Sequence, residues 1–64
     1  MENTKLTSVK ILEKLYEKFK LSTVNDEMTL QKLTNRSIQL FLEDNKFKNI
    51  IEENDNLRIS GSNF

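Results

Sequence analysis

The chain contains no cysteine and no histidine among its 64 residues. Without cysteine it has no disulfide framework, which is compatible with a reducing cytoplasm. Zinc in proteins is bound chiefly by thiolate and imidazole groups, so a zinc site would have to rest on carboxylates alone. We therefore expect no metal and no cofactor. A small chain that lacks these cross-links buries little surface, and such scaffolds often reach stability by oligomerising.

Long apolar runs and glycine are also scarce. The longest uninterrupted apolar run is residues 40–42, far too short to span a bilayer. The first residues do not combine a basic leader with an apolar run, so we expect no signal peptide, a cytoplasmic location and no membrane partner. A single glycine excludes a glycine-rich phosphate loop. No nucleophile stands beside an activating base, so an enzymatic activity is not expected.

The charges balance over the whole chain but not along it. Ten basic and ten acidic residues give a net charge of zero, which counts mildly against nucleic-acid binding. Residues 1–20 hold five lysines and three glutamates, whereas residues 43–64 hold three basic and five acidic residues. The basic excess therefore lies at the N-terminal end.

Two hydrophobic periods follow one another along the chain. Polar and apolar residues alternate over residues 8–11, which predicts a short β-strand over residues 5–11. Apolar residues then recur at helical spacing over residues 13–22 and again over residues 29–43, which predicts two helices. Thr29 is the predicted N-cap of the second helix. Residues 44–64 are expected to form a short helical extension and a polar tail.

A lone strand leaves its backbone N–H and C=O groups unpaired. A second copy of the chain would supply the same strand about a two-fold axis. The predicted fold is therefore mainly α with one short β-strand, an intertwined homodimer with a two-stranded antiparallel ribbon between the copies. By alternation, Leu6, Ser8 and Lys10 would face outward. The inward-facing side chains would form the dimer core: Val9, Ile11, Leu15, Tyr16, Phe19, Leu33, Ile38 and Phe41.

Two segments carry a family resemblance. The first is "SVKILEKLYEKF", in which Leu12 is the junction, Glu13 and Lys14 are a charged pair, and Leu15-Tyr16 follow. The second is "MTLQKLTNRSIQLFLEDNKF", in which a Thr cap precedes a leucine and an Asn-Arg-Ser-Ile run. Together they resemble the ribbon-helix-helix family, the Arc and methionine repressor superfamily, over roughly residues 6–43.

The resemblance implies that the outward ribbon face enters the major groove of double-stranded DNA. Lys10 would donate to guanine, Ser8 would donate or accept, and Leu6 would touch a thymine methyl group. The resemblance also implies a phosphate clamp at the start of the second helix. The residues of this predicted clamp are Thr29, Leu30, Gln31 and Lys32.

The leading functional hypothesis is a homodimeric, sequence-specific transcriptional repressor, with dimers of dimers on DNA as one form of assembly. An antitoxin, or a plasmid partition or conjugation accessory protein, would use the same DNA-binding fold. Residues 44–64 would then be the segment that meets a protein partner. The alternative from another class is a small protein-interaction module that binds no DNA, which the zero net charge favours.

Overall fold

The fold is all-α within residues 3–55, the part of the chain that the structure, a computed structural model, describes. Three helices follow one another: α1 (Glu13–Ser22), α2 (Leu30–Glu43) and α3 (Asn45–Glu53). Residues 3–12 precede α1 without regular secondary structure. Residues 56–64, which hold most of the predicted polar tail, lie outside the described residues.

The predicted β-strand at residues 5–11 is wrong, and so is the predicted ribbon-helix-helix fold with its ribbon between two copies. Residues 3–12 contain no strand. A strand exists only where a neighbouring strand accepts and donates its backbone hydrogen bonds, and no strand is present elsewhere in residues 3–55. Leu6 is 100% exposed and Val9 is 76% exposed, so neither side chain is covered by the helices. The alternating pattern belongs to an exposed, non-helical segment.

Helix α1 begins at Glu13 and ends at Ser22, the same residues as the first predicted helix. Glu13 lies in its first turn and Lys20 in its last, and both charges oppose the helix dipole. Thr23 closes the helix, because its backbone N–H and its Oγ1 both donate to the carbonyl oxygen of Phe19, at 3.1 and 2.9 Å.

A polar turn connects α1 to α2. The backbone N–H of Asp26 donates to the carbonyl of Thr23 at 3.0 Å, and Oδ1 of Asp26 accepts from the backbone N–H of Met28 at 3.1 Å. Asp side chains favour turns because they hydrogen-bond the backbone two residues further on. Thr29 then caps α2, since its Oγ1 accepts from the backbone N–H of Lys32 at 3.1 Å.

Asp44 alone separates α2 from α3. Its backbone N–H donates to the carbonyl of Leu40 at 2.8 Å and so closes α2. Its Oδ1 accepts from the backbone N–H groups of Lys46 and Phe47, at 2.9 and 3.2 Å, and so caps α3. The backbone of Asp44 is extended, with φ −119° and ψ 106°. One residue therefore ends a helix, bends the chain and starts the next helix.

The helices make little tertiary structure with one another. Helices α2 and α3 are in contact, whereas no Cα of α1 lies within 8 Å of a Cα of α2 or α3. The Cα radius of gyration is 13.3 Å. A compact domain of this length has a radius of about 10.7 Å. No residue within 3–55 is buried. The described chain has well-defined helices but no closed hydrophobic core.

Candidate interaction surface

The apolar side chains of the three helices form an exposed surface instead of a core. Leu15 and Tyr16 of α1, and Leu33 of α2, keep about two fifths of their surface exposed. Ile38 of α2 and Ile50 of α3 are more than half exposed. Single exposed apolar residues are common, but contiguous apolar surface on a small protein marks a site of association.

An apolar groove lies between α2 and α3, with a volume of about 220 Å³. The cap at Asp44 forms its corner, because it turns α3 against one side of α2. Lys48 Nζ lies 5.9 Å from the ring centroid of Phe41, a cation–π distance that links the two helices. The groove is lined by Ser37, Ile38, Phe41, Leu42, Phe47 and Ile51.

A second hollow, of about 310 Å³, lies between α1 and the start of α2. Tyr16 and Phe19 line it from α1, and Met28 and Leu30 line it from the turn and α2. Lys20 Nζ lies 5.9 Å from the Tyr16 ring centroid, so the lysine borders the same surface. The two hollows together place aromatic side chains from all three helices at the surface.

Of the residues predicted for the dimer core, six lie on the exposed apolar surface of the helices and two lie in the segment before α1. Ile38 and Phe41 meet in the groove, and Tyr16 and Phe19 meet in the hollow. Val9 and Ile11 instead precede α1 and are exposed. The other two predicted core residues, Leu15 and Leu33, are exposed on their helices. Their burial in a dimer stays a prediction.

Four groove residues were not among the predicted core: Ser37, Leu42, Phe47 and Ile51. Phe47, Ile50 and Ile51 recur at helical spacing, so the signal for the apolar side of α3 is present in the sequence. Leu42 lies away from the central apolar stripe of α2. It reaches the groove because α3 turns against that side of the helix.

The residues predicted to read DNA bases do not share a strand face. Leu6, Ser8 and Lys10 are exposed along the non-helical segment before α1. Since the predicted strand is absent from residues 3–55, alternation no longer places these three side chains on one face. Their contact with bases stays a prediction.

The predicted phosphate residues lie together at the start of α2. Thr29 Oγ1 accepts from the backbone N–H of Lys32, as an N-cap does. The Lys32 ammonium group donates to the carbonyl of Glu27 at 3.0 Å, so this lysine is engaged by its own turn. Leu30 and Gln31 occupy the first turn. Phosphate binding by these four residues stays a prediction.

Within residues 3–55, no group of three or more metal-ligating side chains lies close enough together to hold an ion. None of the helices in that part of the chain is both long and apolar enough to cross a membrane.

No family model, no curated protein and no solved structure matches the chain. Nothing in these comparisons identifies the ribbon-helix-helix family.

Proposed function

We propose that the chain is a helical protein-interaction module that completes its hydrophobic core by binding partner helices. The observation that supports this function is that no residue within 3–55 is buried, although each helix has an apolar stripe. Ordering a chain costs roughly 1–2 kcal/mol per residue in backbone entropy, and burial of apolar surface is the main term that offsets it. A partner that covers the stripes supplies the missing burial.

The surface area supports the same function. The chain exposes 6497 Å², whereas a folded monomer of 7.6 kDa exposes about 4,300 Å². Apolar side chains of all three helices are among the exposed residues, for example Leu15, Leu33 and Ile50. This excess area is available for burial against a partner.

Thermal unfolding followed by circular dichroism, combined with sedimentation, tests the proposal. Binding to the folded form alone raises the unfolding midpoint by mass action. We expect an isolated, dilute monomer to lack a cooperative transition, and a bound chain to acquire one. A monomeric species with a sharp midpoint that is independent of protein concentration would contradict the proposal.

The second candidate function is that of a cytoplasmic DNA-binding homodimer acting as a transcriptional repressor, with the antitoxin and plasmid-accessory roles as its variants. The observation that favours it is the basic character of residues 3–20, which hold five lysines and two glutamates. Lys5 and Lys10 lie on the exposed segment before α1. Lysines on such a segment can neutralise phosphates without a strand.

A fluorescence-anisotropy titration against random duplex DNA at low salt tests this second candidate. Non-specific binding is electrostatic and independent of sequence, so it requires no knowledge of the operator. We expect measurable binding that falls linearly with the logarithm of the salt concentration. Absence of binding at low salt would remove the DNA-binding candidate and leave the interaction module.

A further inference from the structure

The two ends of the described chain carry opposite charge. Residues 3–20 hold five lysines and two glutamates, a net charge of +3. Residues 43–55 hold five acidic residues and two lysines, a net charge of −3. Residues 21–42, between them, hold two acidic and two basic residues. The charge is therefore segregated to the two ends of the described region and is neutral in its centre.

At the acidic end of the described chain, the C-terminal end of α3 carries negative charge that no basic residue of its last turn offsets. Asp44 is engaged as the cap of α3, and Glu43 Oε2 accepts from Gln39 Nε2 at 3.3 Å. Glu52 and Glu53 occupy the last turn of α3, which contains no basic residue. The C-terminal end of a helix dipole is negative, so cations stabilise it and carboxylates do not. A basic surface placed against this end would relieve both charges and the dipole.

The basic end of the described chain includes α1, which holds three of its five lysines together with Glu13 and Glu17. Lys14 and Lys18 lie one turn apart on α1, and such like-charge pairs destabilise a helix. None of its Cα atoms lies within 8 Å of a Cα of α3, so the chain does not close its basic end onto its own acidic end. A second copy presents the complementary end to each.

The available area fits a dimer. The surface in excess of a compact monomer is about 2,200 Å² per chain. Obligate homodimers bury about 2,000–5,000 Å² in total over the two chains. Half of the excess from each of two chains reaches the lower end of that range. The net charge of zero means that two copies do not repel one another as a whole.

We propose that the partner is a second copy of this chain, arranged about a two-fold axis with α1 of each copy against the C-terminal end of α3 of the other. A two-fold interface repeats each contact twice, so the +3 and −3 ends meet in both halves of the dimer. The apolar surfaces of the helices are covered between these charged contacts. This inference rests on the proposed interaction function and names its partner.

Charge exchange between copies tests the arrangement. The variant K14E/K18E has a net charge of −4, and the variant E52K/E53K has a net charge of +4. The net effect on each helix should be small: K14E/K18E replaces one like-charge pair by another at the same spacing, K14E places a carboxylate in the first turn of α1, and E52K/E53K places cations in the last turn of α3. Any loss of association therefore reports on the contact between copies.

We expect each variant alone to associate roughly tenfold or more weakly than the parent at low ionic strength, because like charges face each other at both contacts. An equimolar mixture should form a heterodimer, since each contact then pairs opposite charges. The chain with all four substitutions has its charges exchanged and should self-associate like the parent. Sedimentation velocity measures all four samples. Salt of about 1 M shortens the Debye length to roughly 3 Å and should abolish the differences.

A matched control separates position from overall charge. K32E/R36E on α2 has the same net charge of −4 and the same four-residue spacing as K14E/K18E. Mixed with E52K/E53K, it should restore association at least about tenfold less well. Equal restoration by the two mixtures would overturn the proposed α1–α3 pairing.

The behaviour of the parent separates failure of this inference from failure of the proposed function. A parent that sediments as a monomer and shows no cooperative unfolding would overturn the second copy as partner while leaving the interaction function in place. A parent that is a monomer with a sharp, concentration-independent midpoint would overturn both. A parent dimer whose charge variants all associate equally would overturn the arrangement alone.

Discussion

The half of the molecule that contains α2 and α3 differs from the half that contains α1 and the segment before it. Asp44 ends α2 and caps α3 with hydrogen bonds of 2.8–3.2 Å, and the two helices form a groove. Helix α1 has a closing hydrogen-bond pair at Thr23, but its backbone approaches neither other helix. Local capping therefore defines each helix, while packing holds together only one pair of them.

The difference shows that short helices in a chain of this size depend on packing contacts for their stability. Isolated helices of fewer than about 12–15 residues are marginal in water. Helices α1 and α3 have 10 and 9 residues. Contact with α2 supports α3, whereas α1 has only the hollow at the start of α2. A partner should therefore stabilise α1 more than it stabilises α3. Substitutions in either half of the molecule can test this difference.

The largest effect is expected for Phe41→Ala. Phe41 lines the groove between α2 and α3, and once the proposed second copy covers that groove, truncating the phenylalanine should cost about 3–5 kcal/mol. In a dimer the loss occurs twice, which is enough to unfold a marginal protein. Thermal unfolding by circular dichroism measures it. Leu21→Ala on α1 is the control, because Leu21 is 75% exposed and its truncation should change stability by no more than about 0.5 kcal/mol. Equal midpoints for the two variants would show that the groove contributes no core.

A smaller effect is expected for Asp44→Ala, which alters the residue that joins α2 to α3. The substitution removes the acceptor for two backbone N–H groups of α3, and loss of an N-cap costs about 0.5–2 kcal/mol. Asp44→Asn keeps an acceptor oxygen and should retain most of the stability. Helical content and midpoint are measured for both variants. If alanine and asparagine behaved alike, the cap would not be what orients α3.

Thr29→Ala tests the cap that begins α2, with an expected cost of about 1 kcal/mol. The lost interaction is the 3.1 Å hydrogen bond from the backbone N–H of Lys32 to Thr29 Oγ1. Thr29→Ser retains the hydroxyl and is the matched control. A serine variant as unstable as the alanine variant would show that loss of the hydroxyl, and therefore of the cap, is not the cause.

Much of the helical structure follows from local sequence, and the differences have physical causes. Helix α1 covers the same residues as the first predicted helix, and the Thr29 cap precedes α2 as predicted, because apolar spacing and capping are local properties. The strand is different, because it depends on a partner that residues 5–11 cannot supply. Two alternating apolar residues, Val9 and Ile11, are equally compatible with an exposed segment.

The candidate surface was only partly predictable for a similar reason. Ile38 and Phe41 belong to the apolar stripe that the sequence shows, and both line the groove. Leu42 joins them because of the extended backbone at Asp44, which turns α3 against its side of α2. Periodicity gives the stripe of a helix, but the direction of the next helix depends on a single pair of backbone angles.

The smallest effect on stability is expected for Lys10→Ala, which tests the segment before α1, part of the half of the molecule that does not contain α2 and α3. Lys10 is exposed before α1, so its loss should change the free energy of unfolding by no more than about 0.5 kcal/mol.

The effect of Lys10→Ala on DNA binding separates the two candidate functions. A lysine that meets a phosphate flattens the salt slope by about one unit and weakens binding to all sequences alike, whereas a base contact weakens only the preferred site. Titrations of the parent and the variant against two unrelated duplexes at several salt concentrations distinguish these cases. Lys48→Ala on α3 is the control, since that lysine lies over the Phe41 ring and does not belong to the N-terminal segment. If Lys10→Ala left binding to every duplex unchanged, the basic segment would not be a DNA-binding surface, and the proposed pairing of the basic and acidic ends would be the better account of its charge.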